Sequence, residues 1–141
     1  LPVRRIEEMK RVFADTSFYV AAINSRDENH ATATAWTREF FETVVTTDFV
    51  VVEVANFLRR TSDRGSFNTL YEYLVADRRV EIVESSRELL EKGIALYRDR
   101  PDKNWSLTDC ISFVVMQEQG IADALTADRH FEQAGFKALF A

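Results

Sequence analysis

The sequence predicts an α/β protein, a three-layer α/β/α sandwich with a central parallel sheet. Short runs of apolar and β-branched residues alternate along the chain with stretches of helical spacing, which is typical of parallel strands joined by helical crossovers. The chain has 141 residues, of which 46% are hydrophobic and 29% charged, a composition that excludes a disordered or fibrous protein. We therefore expect one domain that spans residues 1–141.

The first half of the chain contains two predicted strands and three predicted helices. Residues 11–14 are a short apolar run typical of a strand, and residues 18–23 follow with helical spacing. A second helix is predicted for residues 29–43, and the β-branched run 44–47 indicates a strand. From 49 to 60 the apolar residues recur on one helical face, which predicts the third helix.

Helices and strands continue to alternate in the middle of the chain, although the sequence has no internal repeat. Residues 68–77 are predicted to be helical, and residues 80–83 are predicted to form a strand. Ser85 and Glu88 have the spacing of a capping box, which predicts that Ser85 begins a helix that runs to about Tyr97.

The last third contains a loop, an apolar helix and two strands. The polar residues 98–104 indicate the loop, and residues 107–119 form the helix, which Gly120 ends. A strand is predicted for residues 121–127 and an edge strand for 136–140, with a short helix between them. The order of the strands in the sheet does not follow from the sequence.

Four carboxylates occupy positions that surface acids usually avoid. Asp15 and Asp128 each follow an apolar strand, so both should project from the edge of a parallel sheet where such folds bind ligands. Glu53 borders the apolar arc of its helix, and Asp109 lies in the first turn of a helix that is apolar nearly all round. Clustered carboxylates repel one another unless a cation lies among them, so this set predicts a metal site.

Each acid also has a simpler interpretation. Asp15 and Asp128 have the positions of ordinary helix N-caps, and Asp109 follows Ser106 at the spacing of a capping box. Glu53 would pair with an arginine near the end of its own helix, either Arg59 or Arg60. Capping and catalysis do not exclude each other.

The residue types select the metal and the chemistry. One cysteine and two separated histidines provide neither a thiolate cage nor a histidine-rich site. Oxygen ligands alone favour a hard cation, so we expect Mg²⁺ or Mn²⁺ as the cofactor. Such an ion completes its coordination with water and substrate phosphate, which predicts metal-assisted hydrolysis of a phosphodiester.

Four ordered motifs resemble those of the PIN-domain nucleases, most closely the VapC-type toxins of bacterial and archaeal toxin–antitoxin pairs. They cover nearly the whole chain: an acid after the first strand, an acid in a central helix, a Ser-x-x-Asp that opens an apolar helix, and a Thr-x-Asp-x-x-Phe near the end. The corresponding segments are residues 12–17, 52–56, 106–113 and 124–131, with Gly135-Phe136 after the last.

The resemblance implies a role for each matched residue. The four carboxylates would be both catalytic residues and metal ligands: Asp15, Glu53, Asp109 and Asp128. Supporting hydroxyls would help to hold the site, and the candidates are Thr16, Ser17 and Thr126. Each of these hydroxyls has the alternative of a helix cap or a buried hydrogen bond.

The activity implied by the resemblance is metal-dependent cleavage of RNA, at one position in a structured RNA such as tRNA or rRNA. A cognate antitoxin would inhibit it, and the chain would form a homodimer. Two alternatives remain open, a housekeeping PIN-type ribonuclease and a non-catalytic α/β binding or signalling module. A receiver-like signalling module would need paired acids after the first strand, where this chain has only Asp15.

Other residues are predicted to be structural. His30 and His130 are expected to be polar helix residues, and Cys110 a small core residue. Trp36 and Trp105 are expected to pack against helices or at a dimer contact, with stacking on RNA bases as the alternative.

Composition also bears on partners and location. The net charge of −5 disfavours binding of nucleic acid through bulk charge but permits a local basic face rich in arginine. We find no apolar run near the ~18 residues that a membrane span needs, and no apolar stretch typical of a signal peptide. We expect a cytoplasmic protein without membrane association. Residues 1–10 make the segment before the first strand longer than is usual in the family. They are either a natural extension or an artefact of start-site choice.

Overall fold

One parallel sheet organises residues 11–140, the part of the chain that the computed structural model describes. Its strands are β1 (Arg11–Ala14), β2 (Thr43–Thr47), β3 (Val80–Val83), β4 (Asp123–Leu125) and β5 (Lys137–Ala138). They are ordered β3-β2-β1-β4-β5, and every neighbouring pair is parallel. The N-terminal extension proposed for residues 1–10 lies outside the described residues.

Helices flank this sheet, so the predicted α/β/α class is confirmed. Between β1 and β3 the chain forms α1 (Thr16–Ile23), α2 (His30–Thr37), α3 (Asp48–Phe57) and α4 (Arg64–Ala76). After β3 it forms α5 (Arg87–Asp99), α6 (Leu107–Gln119) and α7 (Arg129–Gln133). None of the helices within residues 11–140 is long and apolar enough to cross a membrane.

The strand order creates a switch point between β1 and β4. From β1 the chain moves outward to β2 and β3, whereas β4 leads outward in the opposite direction to β5. In open parallel sheets, ligands bind at the carboxyl ends of the strands beside such a reversal. Asp15 directly follows β1, and Asp128 comes three residues after β4 ends.

Aromatic side chains fix α6 and α7 against β1. The ring of Phe113 on α6 meets that of Phe131 on α7 edge to face, with their centroids 4.9 Å apart. Phe131 in turn lies 6.3 Å from the ring of Phe13. All three rings are fully buried, and pairs in this geometry add about 0.5–1.5 kcal/mol to their burial. The positions of Asp109 and His130 are therefore set by the core.

Both tryptophans pack against the core, Trp36 half-buried and Trp105 buried, in agreement with the predicted packing role. Trp36 stacks on Phe41 at 6.2 Å, and the buried Trp105 meets Phe113 edge to face at 5.0 Å while its indole nitrogen donates to Gln133. The buried thiol of Cys110 also agrees with its predicted place in the core.

Several predicted element boundaries differ from the structure. The helix predicted for 29–43 ends at Thr37, because the chain turns to bury Phe41 before β2. The strand predicted for 121–127 is shorter, since the N–H of Ile121 still bonds Met116 at the end of α6. Gly120 ends that helix in the left-handed conformation, with φ 67°, as predicted.

The predicted helix start at Ser85 is wrong by one residue. Ser86 is the N-cap, and its hydroxyl accepts from the N–H of Leu89 at 3.0 Å. The N–H of Ser85 is instead bonded to the carboxylate of Asp48 on α3, at 2.7 Å. A contact between residues distant in sequence thus selects between two adjacent serines.

Replacing Gly93 with Ala should destabilise the fold. Gly93 lies on α5 where it faces α6, and an added Cβ would overlap the buried side chain of Ile111. Overpacking of this kind costs about 1–3 kcal/mol, measured as the free energy of urea unfolding. Gly65→Ala in α4 is the control, because its Cβ meets nothing within 4 Å and should stabilise by up to about 1 kcal/mol. Equal effects of the two substitutions would contradict this packing.

Candidate metal centre

Asp15 is the most deeply buried of the four predicted acids, with 4% of its surface exposed. It occupies the N-cap position of α1 but makes no capping hydrogen bond with its side chain. Its Oδ2 instead accepts from the hydroxyls of Thr126 at 2.9 Å and Ser17 at 3.2 Å. Burial raises the pKa of Asp15 to about 7, and the negative charge of Asp109 adds to the increase. The simple capping interpretation therefore fails for this carboxylate.

Asp109 combines a capping role with a place in the site. Ser106 and Asp109 form the predicted capping box, with the two hydrogen bonds at 3.0 and 3.1 Å. The same Oδ2 that accepts from the N–H of Ser106 also lies 3.0 Å from Nδ1 of His130. Burial raises the pKa of Asp109, and the charge of Asp128 raises it further.

Asp128 lies at the more exposed side of the cluster, with 34% of its side chain accessible. It caps α7, since its Oδ1 accepts from the backbone N–H of His130 at 2.9 Å. Its own N–H donates to the hydroxyl of Thr126, which also bonds Asp15. One threonine side chain therefore connects the acid after β1 to the acid after β4.

Glu53 joins the site from α3 through α1. Its Oε1 accepts from the hydroxyl of Thr16 at 2.5 Å, one residue after Asp15. Within residues 11–140 no ion pair joins Glu53 to Arg59 or Arg60, the simpler interpretation of this acid, and the Arg59 guanidinium donates to the carbonyl of Asn56. All three predicted supporting hydroxyls thus contact a predicted acid: Thr16, Ser17 and Thr126.

The four predicted acids are not equally close to one another. Ligand atoms of Asp109, Asp128 and His130 lie within 4.8 Å of one another, the one group of its kind within residues 11–140. Asp15 is not part of that group but is near enough for its pKa to respond to the charges of both aspartates. Glu53 also lies outside it and is linked to Asp15 only through Thr16.

The sequence interpretation missed His130. Its Nδ1 lies 3.0 Å from Asp109 and 3.2 Å from Asp128, so the ring is part of the acidic cluster. The available indication was its place in α7, two residues after the acid that caps this helix. His30, by contrast, bonds the carbonyl of Ala21 and is the polar helix residue that was predicted.

The donor set of this cluster fits a divalent cation. Carboxylate oxygens predominate, and the raised pKa values of Asp15 and Asp109 show that nearby positive charge does not balance them. A hard cation among these oxygens would relieve both the burial and the repulsion. A carboxylate cluster therefore lies beside the switch point of a parallel sheet, where α/β folds bind their ligands.

The chain belongs to the PIN-domain family, whose sequence profile matches residues 12–137. It is 32% identical over 126 residues to the 23S rRNA-specific endonuclease VapC20 of Mycobacterium tuberculosis (strain CDC 1551 / Oshkosh), covering 89% of this chain and 95% of that protein. The VapC20 of strain H37Rv matches with the same identity and coverage.

Solved structures agree with this assignment. The crystal structure of M. tuberculosis VapC20, described as a sarcin–ricin loop cleaving toxin, superposes with a TM-score of 0.82 and 26% identity, covering 89% of this chain and 95% of that chain. VapBC2 of Rickettsia felis, bound to a promoter DNA fragment, shares the fold with a TM-score of 0.63 at 14% identity over 91% and 96%. The predicted resemblance to PIN-domain nucleases and VapC-type toxins is confirmed.

Replacing Asp15 with Asn should stabilise the chain, and more so at high pH. The pKa of Asp15 rises from 3.8 to about 7 on folding, so the folded state retains a proton that the unfolded chain has released. That contribution is complete below about pH 4 and is lost as the pH rises through about 7. Urea unfolding in EDTA should therefore show a gap between variant and wild type that widens from about pH 4 to about pH 7 and then levels off.

The amide oxygen of the variant can still accept from Thr126, so the comparison isolates the charge. Asp99→Asn at the exposed end of α5 serves as the control, because its carboxylate is not buried, and should show no comparable gap. A constant gap for Asp15→Asn would contradict the buried charge.

Proposed function

We propose that this chain is a Mg²⁺- or Mn²⁺-dependent endoribonuclease and the toxin of a toxin–antitoxin pair. The observation that carries the proposal is the buried carboxylate cluster at the switch point of the sheet, formed by the acids that the family motifs mark. The relative named as a 23S rRNA-specific endonuclease supports RNA as the substrate.

Within this proposal the four acids hold the cation: Asp15, Glu53, Asp109 and Asp128. Asp15 and Asp109 would provide its buried side, and Asp128 the side that faces solvent. A bound divalent cation supplies a more acidic water and neutralises charge that develops on the phosphate. The non-catalytic alternative would leave these buried, mutually repelling charges without a purpose.

The chain's own hydrogen bonds would keep the carboxylates oriented. Oδ2 of Asp15 is fixed by two hydroxyls, Oε1 of Glu53 by one, and Oδ2 of Asp109 by the N–H of Ser106. Such outer partners usually change metal affinity or activity 10–100-fold, roughly, when they are lost. The hydroxyls of Thr16, Ser17 and Thr126 are thus proposed as positioning groups.

We further propose that the substrate is a structured loop of ribosomal RNA. The 26% identical VapC20 structure is described as a sarcin–ricin loop cleaving toxin, and it covers nearly the whole of this chain. The homodimer that the resemblance implies remains a prediction, which the molecular mass in solution tests directly.

The wild type should cut 23S rRNA at a single position in Mn²⁺ or Mg²⁺ and leave it intact in EDTA. Asp109→Asn should reduce the initial rate more than about 100-fold, because it removes a ligand charge while the amide still accepts the capping hydrogen bond. Primer extension measures the position and the rate. Asp99→Asn, at an exposed position of α5, should cleave like the wild type.

Cleavage by Asp109→Asn at the wild-type rate would overturn the proposed site. Cleavage at many unrelated positions would agree with the proposed nuclease activity but would contradict the proposal of a specific rRNA loop as substrate.

An antitoxin partner is proposed because a structure with this fold is the VapBC2 assembly on promoter DNA. Expression of the chain alone should arrest growth, and co-expression of its antitoxin should restore growth. Growth that continues with an active chain would favour a housekeeping ribonuclease.

A further inference from the structure

His130 adds an imidazole nitrogen to the acidic cluster, although it is not one of the four predicted acids. Its Nδ1 faces the two aspartates, and 29% of its side chain remains exposed. The ring therefore lies at the solvent side of the cluster, where an ion, water and RNA phosphate would meet. A histidine that served only the core would have no reason to face two carboxylates.

The spacing of these atoms matches a shared coordination sphere. Nδ1 of His130 is 3.0 Å from Asp109 Oδ2 and 3.2 Å from Asp128 Oδ1. Two ligands at adjacent corners of an octahedron with bonds of about 2.1 Å lie about 3.0 Å apart. Both spacings from Nδ1 are thus those expected for neighbouring ligands of one ion, and the three ligand atoms lie within 4.8 Å of one another.

From this geometry we propose that His130 is a nitrogen ligand of the catalytic cation, and that it makes the site select Mn²⁺ over Mg²⁺. The inference rests on the proposed function and specifies its cofactor. Mg²⁺ binds oxygen and gives up water reluctantly, whereas transition-metal ions accept imidazole readily. An all-carboxylate site would discriminate much less between the two ions.

Coordination selects one tautomer of the ring. A ring nitrogen that donates a hydrogen bond carries a proton, whereas a nitrogen bound to a cation carries none. Binding of a cation through Nδ1 therefore requires the tautomer with its proton on Nε2. The exposed face of the ring allows the tautomers to exchange through water.

Two substitutions distinguish whether His130 acts as a metal ligand or only as a hydrogen-bond donor. His130→Asn retains an N–H donor near the position of Nδ1 but provides no imidazole nitrogen, whereas His130→Ala removes both. If His130 is a ligand, both variants should lose at least about 10-fold in Mn²⁺ affinity while Mg²⁺ affinity changes less than about 3-fold. Calorimetric titration of each ion measures this, with Glu132→Gln on the exposed side of α7 as the control.

Pulsed electron paramagnetic resonance of the Mn²⁺-loaded protein gives an independent readout. The wild type should show the echo modulation of a directly bound ¹⁴N nucleus, and His130→Asn should not. A wild type without nitrogen modulation, or a His130→Asn variant with wild-type Mn²⁺ affinity, would overturn the inference. Failure of Mn²⁺ to bind the wild type at all would instead overturn the proposed function.

Discussion

Repulsion between buried carboxylates at one edge of the sheet is the constraint on which the site depends. At the switch point β1 and β4 are parallel neighbours, so their carboxyl ends lie side by side. Asp15 follows β1, and Asp128 follows β4. The core then fixes Asp109 beside them, because Phe113 lies one turn further along α6. The fold thus holds negative charge where water cannot fully screen it, and a bound cation would offset that cost.

The hydrogen bonds of the cluster explain how it remains ordered under this repulsion. The hydroxyl of Thr126 serves Asp15 and the backbone of Asp128 together, and Thr16 bonds Glu53 across from α3. In Asp109 the helix cap and the site use the same carboxylate. One side chain can therefore cap a helix and also lie in the cluster, which is why capping spacings alone do not decide between the two interpretations.

Local patterns in the sequence predicted the fold class and marked four acids as candidates for the site. It did not predict the strand order, which depends on which strands pair, or His130, which meets Asp109 across 21 residues through the packing of α6 on α7. Ser85 shows the same limit, because only its contact with Asp48 in the fold shifts the cap to Ser86. Properties set by distant contacts were the ones that local spacing missed.

Thermal unfolding of the wild type and Asp109→Asn against Mn²⁺ concentration tests the central claim most directly. An ion that binds only the folded state stabilises it by about 2.7 kcal/mol at 100 times its Kd, which raises Tm by several degrees. We expect this rise in the wild type. The variant should already be as stable without Mn²⁺ as the wild type is with it, and it should gain little from the ion. No effect of Mn²⁺ on either protein would contradict the account and leave the carboxylates with structural roles alone.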